Sequence, residues 1–254
     1  AAVEPNTRVD AAGATIIETP ECYIVPGFVD VHVHGVDGHD TLDEGDAVAR
    51  IASRLPRYGV TAFCPTTVAC DPSALRRVLA QVATARAIRP ANSARVLPAH
   101  IESNFINPEY RGAQPAECLR LPSDTVGRAD GTFSTRDILD IIAGARADVG
   151  IVTLAPELPG GVELVRALVA AGTRVSLGHS GASLDEAMAA IDAGARHATH
   201  LFNRMAPMTH RAPGVAGAVL ARDEVAAELI CDGYHVHPAM SRIAIASKGV
   251  GRVM

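Results

Sequence analysis

The run Val25-Pro26-Gly27-Phe28-Val29-Asp30-Val31-His32-Val33-His34-Gly35 decides how the rest of the chain is read. It is nearly continuous in apolar, β-branched residues and stops at a glycine, the pattern of a short strand buried in a parallel sheet. Residues 46–57 follow with helical spacing. The same alternation recurs along the chain. Strands are predicted at 60–67, 95–102, 151–155, 174–177, 197–202 and 226–231. Helices are predicted at 72–87 with Asp71 as cap, 135–147, 161–171, 183–193 with Ser183 and Glu186 as a capping box, and 238–248. A long polar connection holding Asn104, Asn107, Pro108, Gly112 and Pro115 follows the third strand. Seven strands alternating with helices predict an α/β fold with a parallel sheet. Val253-Met254 reads as the start of an eighth strand, so the expected architecture is a (β/α)8 TIM-like barrel with its eighth unit missing. An open, doubly wound sheet is the alternative. Residues 1–24 break the repeat. Short strands at 15–19 and 23–25 would make them the remnant of a small β domain, with the incomplete barrel occupying 25–254.

Composition narrows the function. The 254 residues are 48% hydrophobic and 20% charged, with a net charge of −5, which suits a packed domain and gives no basic surface for nucleic acid or an anionic membrane. Trp is absent and aromatics are only 4%, which argues against base stacking on single strands. Cys22, Cys64, Cys70, Cys118 and Cys231 are an odd number with no C-x-x-C spacing, so a disulfide framework or cysteine zinc site is not expected and a cytoplasmic location is. No apolar run has the length of a membrane span, and no glycine loop has a nucleotide-binding pattern.

The histidines carry the chemistry. His32, His34, His100, His179 and His200, together with Glu102, fall at or just after the C-terminal ends of predicted strands. In a (β/α)8 barrel those ends converge on one face. His32 and His34 are two apart, as are His100 and Glu102, so each pair points to one side of its strand. Imidazole nitrogens with a carboxylate suit Zn²⁺, or alternatively Fe²⁺, Co²⁺ or Mn²⁺. Such an ion acidifies water and polarises a carbonyl, so hydrolysis of an amide or ester is the implied reaction class. His39, His197 and His210 read as surface or packing residues, His237 as structural, and His100 as an orienting neighbour of the metal site.

Further motifs occur in order: His100-Ile101-Glu102, Thr153-Leu154-Ala155-Pro156-Glu157, Gly178-His179-Ser180, Thr199-His200-Leu201-Phe202-Asn203, Arg211-Ala212-Pro213-Gly214 and Asp232-Gly233-Tyr234-His235-Val236-His237-Pro238. With the opening strand they resemble the N-acetylglucosamine-6-phosphate deacetylase family of the amidohydrolase superfamily, from Val25 to Met254. The resemblance implies a barrel of the metal-dependent hydrolase type. It implies that Glu102, His179 and His200 bind the main ion, and that His32 and His34 add a second ion bridged by Glu102. Asn203 and Arg211 match positions that hold the sugar phosphate, the arginine reaching across a homodimer. His235 would contact the sugar and the scissile carbonyl as the catalytic oxyanion donor. The implied partner is a small amino-sugar phosphate, N-acetylglucosamine 6-phosphate first. N-acetylgalactosamine 6-phosphate, or another N-acetyl amino-sugar phosphate, is the alternative.

The chain departs from the family pattern in four places. Ser103-Asn104 stand where Gly-Pro is usual, Gln114 where a histidine often falls, and Arg204 where alanine follows the asparagine. Gln114 can still hydrogen-bond substrate, and Arg204 can add a cation beside a phosphate. The family's proton-transferring aspartate lies in a Thr-Asp-Ala run at the eighth strand and has no match here. Asp30 and Asp232 are near it by strand position without an assigned role. The expectation is a fragment of a longer enzyme, or a non-catalytic metal or sugar-phosphate binding protein if the chain ends at Met254.

Overall fold

A computed structural model describes residues 13, 15, 22–89, 91–126 and 132–254. Seven strands are each followed by a helix: β1 (Phe28–Val33) and α1 (Ala47–Arg54), β2 (Val60–Thr67) and α2 (Pro72–Ala87), β3 (Ala99–Glu102) and α3 (Thr135–Gly144), β4 (Val149–Leu154) and α4 (Gly161–Ala170), β5 (Arg174–Leu177) and α5 (Leu184–Asp192), β6 (His197–Ala198) and α6 (Gly214–Ala221), β7 (Ala226–Ala227) and α7 (Pro238–Lys248). Each strand pairs in parallel with the next in sequence. A doubly wound sheet would reverse its order at a switch point, whereas this order never reverses. The fold is therefore a partial (β/α) barrel. Val253 forms a parallel bridge to Ala227, and Leu229 N–H donates to Met254 O at 2.8 Å, so the chain's last residues run alongside β7.

Each helix covers the sheet with one face. On α2, Leu75, Val78, Leu79 and Val82 are buried at helical spacing, and Asp71 caps the first turn by accepting from Ser73 N and Ala74 N. The Ser183–Glu186 capping box is present, as a Ser134–Asp137 box is on α3. Between helices and strands lies an apolar layer that includes Phe63, Ile101, Ile138, Leu154, Leu177 and Ile191. Inside the curl the side chains are polar. His100 Nε2 meets Thr153 Oγ1 at 2.7 Å, which meets Thr199 Oγ1 at 2.7 Å, which meets Ser176 Oγ at 2.6 Å, which meets His197 Nδ1 at 2.9 Å. All five residues are fully buried and come from β3 to β6 or the residue that follows β6. The chain of bonds satisfies groups that would otherwise be costly to bury.

Several expectations are corrected. The predicted third strand is two pieces, Arg95–Val96 and Ala99–Glu102, because Pro98 brings no N–H to the ladder. The strand predicted at 197–202 is two residues long, since His200 and Phe202 turn into positive φ (31° and 76°), and the one predicted at 226–231 is Ala226–Ala227 alone. The predicted strand at 23–25 is unpaired, and Tyr23 and Ile24 are exposed with no neighbouring strand among the described residues. The one at 15–19 lies almost wholly outside the described residues. Helix α6 was not predicted. Its Gly-Val-Ala-Gly-Ala-Val-Leu-Ala sequence is apolar all round, so no polar stripe marks a helical period.

Candidate metal centre and cleft

The C-terminal strand ends deliver the five predicted ligands to one place. Glu102 ends β3, His34 follows β1, and His179 and His200 lie two residues beyond β5 and β6. Glu102 Oε1 is 2.9 Å from His179 Nε2 and 3.0 Å from His200 Nε2, and these two nitrogens are 3.0 Å apart. Glu102 Oε2 is 3.3 Å from His34 Nε2, which is 3.1 Å from His32 Nε2. Two groups of three donors thus share Glu102: one with His179 and His200, the other with His32 and His34.

The hydrogen bonds orient these nitrogens as a set that could hold a cation. His179 Nδ1 is 2.8 Å from Tyr110 O, and a carbonyl only accepts, so Nδ1 carries the proton and Nε2 turns its lone pair to the carboxylate. Lone pairs facing a carboxylate oxygen and another imidazole nitrogen at 3 Å repel unless positive charge lies among them. Buried Nδ1 atoms of His34 and His200 have no hydrogen-bond partner. The residues therefore fit one or two divalent ions. Burial alone would raise the Glu102 carboxyl, but the imidazoles of His179, His200 and His34, which donate to it when no ion is bound, outweigh that and hold the group well below the usual carboxylate range.

The backbone is shaped for this convergence. His179 sits at φ 49° after Gly178, whose missing side chain leaves room for Thr199 and Thr153; a Cβ there would stand 2.9 Å from Thr199 Cβ. Glu157 braces the next turn, accepting from Asn107 Nδ2 at 2.9 Å, Ser180 Oγ at 2.7 Å and Gly181 N at 2.6 Å. The unusual Ser103-Asn104 pair is absorbed by buried bonds: Ser103 Oγ donates to Thr153 O, and Asn104 Nδ2 to Cys70 O and Cys118 O.

Glu228, one residue past β7, was not foreseen. It is 5% exposed, and its Oε2 accepts from His32 Nδ1 at 2.8 Å and His200 N at 3.1 Å. Burial would raise its carboxyl, yet the bond from His32, with the His100 and His197 rings nearby, brings it down to about 2. Burial pushes His32 down, and Glu228 more than reverses that. The only sequence signal was an acid standing in the apolar run Val225-Ala226-Ala227-Glu228-Leu229-Ile230. His100 donates through Nδ1 to Val31 O and is brought down to about 3, chiefly by burial, which leaves it a neutral packing residue.

A cleft of about 1270 Å³ opens over these groups, lined in part by Asn203, Arg204, Gln114 and His235. Asp232 grips His235, accepting from its Nδ1 at 2.7 Å and its backbone N at 2.8 Å. Arg204, at φ 52°, packs its guanidinium over Gly112 at the cleft wall. Gln114 is bonded at both ends of its amide, Oε1 accepting from Ala69 N at 2.6 Å and Nε2 donating to Glu102 Oε2. It braces the carboxylate rather than standing free toward a ligand. Arg211 is exposed and does not line the cleft. No helix among the described residues is long and apolar enough to cross a membrane.

This arrangement of barrel and ligands is that of the metal-dependent hydrolases, and residues 23–253 match the model of the amidohydrolase family, so the chain belongs to that family. Its relatives there are sugar-phosphate deacetylases. The chain is 40% identical over 243 residues to N-acetylglucosamine-6-phosphate deacetylase of Rattus norvegicus, covering 91% of this chain and 56% of that protein. It is 34% identical to N-acetylgalactosamine-6-phosphate deacetylase of Escherichia coli O157:H7, covering 94% and 59%. A Mycobacterium smegmatis N-acetyl-D-glucosamine-6-phosphate deacetylase mutant, solved with N-acetyl-D-glucosamine-6-phosphate, superposes at a TM-score of 0.77 with 32% identity, covering 90% of this chain and 56% of that one. The chain thus spans little more than half the length of the relatives it matches.

Proposed function

We propose that the protein removes the N-acetyl group of N-acetylglucosamine 6-phosphate, giving glucosamine 6-phosphate and acetate. The observation that carries this is the Glu102–His179–His200 cluster, with Nε2 atoms at 2.9 and 3.0 Å from one carboxylate oxygen, at the floor of a cleft large enough for a hexose phosphate. The names of the relatives support the substrate. Glu102, His179 and His200 would hold one divalent ion, Zn²⁺ in the first instance, and His32 and His34 with Glu102 a second. Such an ion supplies Lewis acidity, which polarises an acyl carbonyl and makes hydroxide accessible near neutral pH.

The chain's own residues do the rest. His235, with Nδ1–H held by Asp232, presents Nε2 to the carbonyl oxygen and donates to the developing oxyanion when the ring is protonated. Asn203 and Arg204 at the cleft wall bind the 6-phosphate, the guanidinium offering a planar pair of donors. Arg211, outside this cleft, serves the cleft of a second copy in a homodimer. Gln114 keeps Glu102 in place and lines the sugar side. The Thr-Asp-Ala aspartate expected to move the proton has no counterpart in these residues.

The test is acetate release from N-acetylglucosamine 6-phosphate by the whole protein loaded with Zn²⁺. Release only from unphosphorylated amides, or no release, overturns the assignment. The E. coli relative supports a second reading, N-acetylgalactosamine 6-phosphate. Comparing kcat/KM for the two epimers decides between them.

A further inference from the structure

We propose that Glu228 is a positioning residue that builds the His32 half of the metal centre. The proposal rests on the metal-dependent reading above and adds a group that neither the ligand pattern nor the relatives' names assign. Glu228 Oε2 lies 2.8 Å from His32 Nδ1. A carboxylate acceptor there fixes the proton on Nδ1 and leaves Nε2 as a lone-pair donor, 3.1 Å from His34 Nε2 and 3.7 Å from Glu102 Oε1. Without that acceptor the ring is free to take the other tautomer, which turns an N–H toward the ion. Its other ring neighbours, His34, His100 and His200, lie edge-on or tilted at centroid distances of 4.9, 4.8 and 5.6 Å and make no hydrogen bond to Nδ1, so Glu228 is the contact that sets that nitrogen.

Glu228, His32 and His100 themselves form a three-donor group, but they do not make a third metal site. His100 Nδ1 donates to Val31 O at 3.0 Å, and its Nε2 is 2.7 Å from Thr153 Oγ1, so neither nitrogen is available. The acid therefore acts on a ligating ring only through His32, its other bond, from His200, being to the backbone N and not to the imidazole. Its reach is long: β7 and β1 are the two ends of the strand order, and Glu228 joins them across 196 residues of sequence.

The experiment titrates the metal-stripped whole protein with Co²⁺, read by visible absorption and by metal analysis, for wild type, Glu228→Gln, Glu228→Ala and His32→Ala. His32→Ala identifies which of two isotherms belongs to the His32–His34 site. The amide of Glu228→Gln keeps one acceptor oxygen and the shape of the side chain, so that site should weaken by up to about 10-fold. Glu228→Ala should weaken it by about 10- to 100-fold. The Glu102–His179–His200 site should change less than about threefold in both variants. If Glu228→Ala does not fold, Glu228→Gln against wild type decides. Unchanged Co²⁺ binding in the variants, or equal loss at both sites, overturns the proposal. A wild type that binds one ion overturns it while leaving the hydrolase reading intact, and a wild type that binds none overturns the hydrolase reading itself.

Discussion

Removing the bound ion should lower the melting temperature by an amount that can be worked out. The donors converge with two Nε2 atoms 3.0 Å apart and each within 3.0 Å of Glu102 Oε1, a set that only the folded chain brings together. An ion that binds only the folded state adds RT ln(1 + [L]/Kd), about 2.7 kcal/mol when its concentration is 100 times Kd. For 254 residues, an unfolding entropy of about 2.1 cal/mol/K per residue amounts to about 0.53 kcal/mol/K. The quotient is a shift of about 5 °C. The assay is scanning calorimetry on protein stripped with a chelator, before and after Zn²⁺ or Co²⁺ is restored at 100 times Kd. His179→Ala should abolish most of the shift, and Arg211→Ala, at an exposed position, should leave it intact. Stripped and reloaded wild type melting within 1 °C of each other, or His179→Ala shifting as far as wild type, would refute the reasoning.

Other outcomes follow from single contacts. Thr199→Val removes the central hydroxyl of the buried chain from His100 to His197 and should cost about 1–3 kcal/mol, seen as a lower urea midpoint with an unchanged m-value. Gly178→Ala places a methyl 2.9 Å from Thr199 Cβ and 3.0 Å from Thr153 Cγ2, and should cost about 1–3 kcal/mol and weaken Co²⁺ binding by displacing His179. Asp71→Ala should lose about 1 kcal/mol at pH 7 through the cap of α2. The Asp71 carboxyl is lowered by its bonds to Ser73 and Ala74. Its contribution is therefore present in full above the unfolded value of 3.8 and disappears as pH falls through the lower folded value, so wild type and variant should converge in acid melts.

The sequence made the repeat and the ligands legible for the same reason. The outward faces of the strands are apolar and their C-terminal ends meet the cleft, so His32, His34, Glu102, His179 and His200 stood out against valine and leucine. Helices with one polar face, such as α2 and α7, could be bounded to the residue. What was hidden depended on contacts between distant segments. Gln114 lies on an irregular loop, and nothing local says that its amide will span from Ala69 to Glu102. Glu228 lies one residue past a strand of only two residues, and its partner, His32, comes from the first strand. Helix α6 was hidden because it is surrounded by apolar neighbours and has no water-facing stripe.

The scatter of donors over the first, third, fifth and sixth strands also governs the order of events during synthesis. Glu102 and His200 touch although 98 residues separate them in sequence. No short piece of nascent polypeptide holds a chelating set better than the His32–His34 pair. Tight capture of an ion must therefore wait until several crossovers have docked. For a chain that binds an ion as proposed, metal uptake is then a late checkpoint, available once the chain has curled and out of reach for one that has gone astray.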